Sequence, residues 1–195
     1  AASDVYKRQV YTGDLRRHGK MKDLTEGFVK EASRLKPKVL LVEGTNTEFT
    51  EPVTEGAVGE RCVGVVKKAK GLVVADFGPR NLERLLTFLD IARDTRRSLV
   101  VTAKDIYIMD SLAPLVPEIQ EALEDKRLVI YQEARANITG WKEEMYEKYE
   151  ERLETTGHIA ENPGSFILCF SFWDFNELID INPQGGIYIY STSEA

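Results

Sequence analysis

The sequence predicts an α/β fold of three-layer βα units around a mainly parallel sheet. Short apolar runs bounded by turn residues recur along the chain, and longer amphipathic stretches separate them. A length of 195 residues, 43% apolar and 30% charged, suffices for a sizeable buried core.

The elements follow in order. A first apolar strand leads into Tyr11, Thr12, Gly13 and Asp14. Leu24, Phe28, Ala32 and Leu35 then recur at helical spacing, and Pro37 closes that helix. Val39 to Val42 reads as the next strand. A helix over roughly 55–70 presents Val58, Cys62, Val65, Val66 and Ala69, and Leu72 to Ala75 is again a strand. The following helix is expected to begin at Pro79, whose fixed φ suits the first helical position, and to bury Leu82, Leu85, Leu86, Leu89 and Ala92.

Leu99 to Thr102 and Leu128 to Tyr131 read as strands. Between them Pro114 and Pro117 break the stretch from Ile106 to Leu123 into one interrupted helix or two short ones. Trp141, Met145, Tyr149 and Leu153 lie four apart with Lys and Glu around them, which predicts a solvated surface helix. Phe166 to Phe170 and Ile187 to Tyr190 complete the strands. No repeat, low-complexity tract or flexible linker divides the chain, so two domains would have to be nested.

Composition excludes several classes. A net charge of -6 repels polyanions overall, so any nucleic-acid contact must be local. Cys62 and Cys169 stand far apart outside any CxxC or Cys/His cluster, which argues against a disulfide scaffold or zinc knot and for a reduced, cytoplasmic setting. No apolar run reaches the roughly 18 residues of a membrane span, so no membrane partner is expected.

Two acidic groups stand at the ends of two apolar strands: Asp14 after Gly13, and Glu43 after Leu40, Leu41 and Val42. A carboxylate at the carboxyl end of a strand is held at the crevice where open α/β sheets bind ligands. The bland alternative is a loop Asp and a capping Glu. His18 and His158 are the two histidines, the first read as a solvated residue on a basic turn and the second as a helix-end residue. Phe172, Trp173 and Phe175 could stack on bases, although core packing is the expectation for at least two of them.

The order of these motifs resembles the β-CASP branch of the metallo-β-lactamase-fold nucleases, most closely ribonuclease J and its prokaryotic relatives. The resemblance rests on YTGD at Tyr11 to Asp14 and on LLVEGTN at Leu40 to Asn46. It continues through Thr54, Glu55, Val58 and Gly59, then VVADF, then Gly78 to Asn81, and closes on SFILCFSFWDF and IYIYSTSEA. It implies the parallel sheet of a β-CASP domain plus a strand-helix-strand piece of the hydrolase core. Asp14 would be the carboxylate bridging two zinc ions, and Glu43 would orient a histidine and serve proton transfer. Both are the implied catalytic residues.

Substrate contacts implied in the same way are Thr45, Asn46, Arg80, Asn81, Ser171 and Ser191. Arg80 and Asn81 are expected in the first turn of a helix whose exposed amides could take a phosphate oxygen. The implied activity is zinc-dependent hydrolysis of RNA phosphodiester bonds, single-stranded RNA being the favoured partner, with exonuclease and endonuclease action both open. The family's His-x-His-x-Asp-His box and later histidine motifs have no counterpart here. The chain is therefore expected to be an inactive fragment that does not hold the two zinc ions alone, and a homodimer would use regions outside it.

The domain reading follows. Residues 1–9 resemble the translated end of a sequencing adapter, residues 10–50 a partial metallo-β-lactamase core, residues 51–186 the β-CASP insertion, and residues 187–195 a return strand toward the core. Two competing classes stay open: a non-catalytic Rossmann-like ligand-binding domain, which lacks GxGxxG and GxxxxGK[ST], and an inactive β-CASP scaffold that binds RNA.

Overall fold

The structure is a computed structural model that describes residues 9–13, 22–42, 54–78, 80–134, 138 and 140–191. It divides into two units, Ala1–Val58 with Ala195, and Gly59–Glu194.

In the first unit, strand β1 (Gln9–Tyr11) pairs in parallel with β2 (Val39–Leu41), and helix α1 (Lys22–Arg34) lies between them in sequence. The register sets Tyr11 opposite Leu41, and the Thr12 amide donates to the Leu41 carbonyl at 3.0 Å. Gly13 follows with φ +57°, a conformation that favours glycine. Val10 is buried, but Leu24 of α1 and Leu40 of β2 are 63% and 57% exposed. Gln9, expected to belong to an adapter-derived segment, is paired with Val39 in this sheet.

Helix α2 (Glu55–Lys68) leads into the second unit, a six-stranded, all-parallel sheet in the order β6-β5-β4-β7-β3-β8. Its strands are β3 (Leu72–Asp76), β4 (Ser98–Val101), β5 (Leu128–Gln132), β6 (Leu153–Thr155), β7 (Phe166–Cys169) and β8 (Gly186–Tyr190). β3 and β7 are buried at every position, which is why they read as continuous apolar runs: a parallel strand with both faces covered has no polar side. β8 is the edge strand beside β3, with Leu72 opposite Gly186. A Cβ on Gly186 would stand 2.4 Å from the Leu72 carbonyl oxygen, so this position requires glycine.

The helices of this unit are α3 (Leu82–Thr95), α4 (Ala103–Leu112), α5 (Pro117–Glu124), α6 (Gly140–Lys148), α7 (Thr156–Glu161) and α8 (Glu177–Ile181). Alternate strand residues face opposite layers. Leu72, Val74, Val100, Val129, Tyr131, Leu168 and Phe170 form one cluster with Ile159 of α7 and Ile181 of α8. α3, α4 and α5 pack against β4, β5 and β7 and bury Phe88, Leu89, Ile91, Ile106, Met109 and Ile119. The three-layer α/β architecture is the one the sequence predicts.

Several boundaries differ from expectation. α3 begins at Leu82 with Asn81 as its cap, since the Asn81 side chain accepts from the Arg84 amide and competes with a further helical turn. The helix expected to reach Leu153 stops at Lys148. A 3-10 turn (Glu150–Arg152) follows, and Leu153 opens β6 by pairing with Ile130 of β5. Pairing with a neighbouring strand overrides the four-residue spacing there. α6 also buries Met145 and Tyr146, the Tyr146 hydroxyl donating to the Tyr131 carbonyl at 3.2 Å.

One buried cation fixes the amino ends of the strands. Arg96 closes α3 in a left-handed conformation, and the next residue, Arg97, is 6% exposed. Its guanidinium donates to the carbonyls of Ala69 (2.5 Å), Gly71 (2.9 Å) and Phe166 (3.2 Å), joining the start of β4 to the starts of β3 and β7. Burial lowers its pKa.

Candidate functional site

β4 and β7 are neighbours, yet the chain leaves them in opposite directions, from β4 outward to β5 and from β7 across β3 to β8. In an open parallel sheet such a reversal leaves a crevice beyond the carboxyl ends of the two strands. A cavity of about 230 Å³ is found there, with Ala75, Phe77 and Cys169 at its strand ends.

Two matching turns form its polar floor. After β4, the Asp105 Oδ2 accepts from the Thr102 amide at 2.9 Å and the Thr102 hydroxyl at 2.8 Å, capping α4. After β7, the Asp174 Oδ2 accepts from the Ser171 amide at 2.9 Å and the Ser171 hydroxyl at 2.6 Å. Both are reciprocal boxes in which a hydroxyl residue and the acid three positions on cap each other. Burial, reinforced by the Asp174 charge, raises the Asp105 pKa to about 6 against the pull of the Thr102 hydrogen bonds. Burial and then the Asp105 charge push the Cys169 thiol well above its ordinary range, which favours the neutral thiol over the thiolate.

The walls carry the remaining charges and two indoles. Lys142 donates to both Glu133 oxygens, at 2.6 and 2.7 Å, and its ammonium lies 5.8 Å from the Trp141 ring. Trp141 leans on Tyr107 at 5.5 Å between centroids. Across the crevice Trp173 is 83% exposed and meets Phe172 edge-on at 5.8 Å, and Phe172 in turn meets Phe175. The expectation that at least two of Phe172, Trp173 and Phe175 pack in the core is corrected: Phe172 and Trp173 project outward from a 3-10 turn, and Phe175 alone of the three packs on the core cluster.

The sequence-predicted residues separate. Ser171 lines the crevice, with its hydroxyl engaged by Asp174. Asn81 is a cap whose side-chain oxygen takes the Arg84 amide, and Arg80 is exposed just before it; neither lines the crevice. That corrects their expected placement in the first turn: the helix starts at Leu82, and the Asn81 side chain takes one of the helix-start amides. Ser191 is tied between elements: its amide donates to the Asp76 carbonyl at 2.8 Å, and the Arg84 guanidinium donates to both its carbonyl, at 3.0 Å, and its hydroxyl. Asp14, Glu43, Thr45 and Asn46 lie outside the described residues.

Thr102, Asp105, Glu133, Trp141 and Asp174 escaped the sequence reading as site residues. The signal was present in the two patterns Thr-x-x-Asp and Ser-x-x-Asp, each directly after an apolar strand. Among the described residues no three His, Cys, Asp or Glu side chains gather to hold a metal, and no helix is long and apolar enough to cross a membrane.

No family model and no curated protein matches the chain. A solved structure described as that of a protein of unknown function from Enterococcus faecalis V583 is similar in fold. Its TM-score is 0.56 at 14% identity, over 95% of this chain and 46% of that one. The likeness extends to the α/β architecture, and this chain spans less than half of that protein.

Proposed function

We propose that this chain is the β-CASP portion, with part of the hydrolase core, of a zinc-dependent ribonuclease acting on single-stranded RNA. The observation that carries the reading is the parallel register of β1 and β2. Tyr11 is opposite Leu41, so the segments leading to Asp14 and Glu43 leave the same edge of one small sheet. A nuclease that uses both carboxylates requires that common edge. The exposed apolar residues of α1 and β2 add support, since a larger core would cover them.

The described residues contain no cluster fit for zinc. In this reading Asp14 contributes one carboxylate, and the remaining ligands come from protein beyond this chain. The test is cleavage of end-labelled single-stranded RNA by the complete polypeptide. Asp14→Asn and Glu43→Gln are each expected to reduce cleavage by about 100-fold or more, while this chain alone gives none. Undiminished cleavage by both variants, or none by the unaltered protein with zinc, overturns the reading. A ligand-binding α/β domain without catalysis is the second reading, favoured by the crevice between β4 and β7.

A further inference from the structure

We propose that the crevice beyond β4 and β7 is a pocket for a single nucleobase, and that it selects guanine. The inference rests on the ribonuclease reading for its ligand class, a base of an RNA strand, and adds a site and a sequence preference to it. Three features point to a planar ligand with an N–H-rich edge.

The first is shape. At about 230 Å³ the cavity is smaller than the roughly 300–1,000 Å³ typical of drug-sized ligands, so it accommodates one ring system and not a folded strand. The second is the pair of indoles lining it. Trp173 is held outward in water, although a Trp normally buries most of its surface, and it is propped by Phe172 while Trp141 is propped by Tyr107. An exposed indole beside a crevice provides a stacking face for a base.

The third is the hydrogen-bonding character of the floor. In each box Oδ2 takes both bonds from Thr102 or Ser171. Among the described residues the Oδ1 atoms of Asp105 and Asp174 accept no hydrogen bond. The floor therefore offers acceptors. The Watson–Crick edge of guanine presents adjacent N1–H and N2–H donors to such acceptors. Adenine and cytosine each place a ring-nitrogen acceptor there, and uracil flanks its one donor with two carbonyls. Lys104 stands at the rim, while Lys142 is already matched by Glu133.

The protein supplies its own probe, because Trp141 and Trp173 are its two tryptophans and both line the crevice. Intrinsic fluorescence of the 195-residue chain is titrated with GMP, AMP, CMP, UMP and guanosine, corrected for absorption by the nucleotide. Saturable quenching by GMP and by guanosine is expected, with the other three at least about tenfold weaker. Asp174→Asn, which keeps one acceptor for the Ser171 cap, is expected to weaken GMP about tenfold, and Trp173→Phe to remove most of the signal change. Circular dichroism establishes that both variants fold.

Absence of saturable quenching overturns the pocket. Equal quenching by all four nucleotides overturns the selectivity, and GMP binding without guanosine binding means that the phosphate is the determinant. Failure of RNA cleavage by the complete protein leaves this titration unaffected, so the two readings fail separately.

Discussion

β2 and β7 are both short, apolar, parallel strands, Val-Leu-Leu in one and Phe-Ile-Leu-Cys in the other, yet the first is exposed along its length and the second buried along its length. The difference lies in the number of neighbours. Among the described residues β2 has one partner strand, whereas β7 sits between β4 and β3 with helices on the faces of its sheet. Apolar sequence makes a strand available for burial, and only flanking strands and covering helices remove it from water.

That contrast can be broken by substitution. Phe88→Ala deletes a fully buried ring of α3 and is expected to cost about 3–5 kcal/mol, whereas Leu40→Ala in β2 should change stability by no more than about 0.5 kcal/mol. Urea unfolding of the two variants measures both, and comparable losses would mean that β2 is packed in solution.

Arg97 sharpens the comparison, since nothing described in the first unit matches its clasp on three carbonyls. Arg97→Met keeps much of the apolar stem but leaves the Ala69, Gly71 and Phe166 carbonyls without that donor. A loss of about 3 kcal/mol is expected by the same measurement. A neutral outcome would show that water replaces the guanidinium at the amino ends of the strands.

A further effect concerns the crevice and depends on pH. The Asp105 pKa is raised to about 6, above its ordinary unfolded value, so between about pH 4 and pH 6 the folded state binds more protons than the unfolded one. Stability is then greatest below that window and falls as pH rises through it, by on the order of 2 kcal/mol. Asp174 and Lys104 act on this titration, Cys169 is coupled to it, and Glu133 and Lys142 line the same crevice. Asp105→Asn, which retains an acceptor for the Thr102 cap, should flatten the fall, as read by unfolding at pH 4.5 and pH 7.5. An unchanged slope would assign the pH dependence to another group.

Much of the fold was legible because parallel strands buried on both faces are written as uninterrupted apolar runs. Leu72, Leu99, Leu128, Phe166 and Ile187 were each recognisable as belonging to a strand. β6 was not, since three residues at an edge carry too little pattern to compete with the helical spacing of Trp141 to Leu153. Asn81, expected within the helix, is its cap: the spacing of Leu82, Leu85 and Leu89 marks the helix, but the side-chain bond from the Arg84 amide marks its start.

The site was less legible than the scaffold. Ser171 was singled out alone, and its partner Asp174 and the matching pair Thr102 and Asp105 were not, because two capping patterns nearly seventy residues apart carry no mark that they will meet.

The sequence by itself determined the βα alternation, the strands of the buried sheet and the two hydroxyl-to-acid caps, since each depends on residues within a few positions of one another. Tertiary structure alone decided the strand order. By inserting β7 between β3 and β4 it brought Asp105 beside Asp174, drew Arg97 onto three carbonyls and left Trp173 in water at the mouth of a crevice. Those outcomes depend on contacts between distant segments, whose selection rests on the packing free energy of the whole sheet.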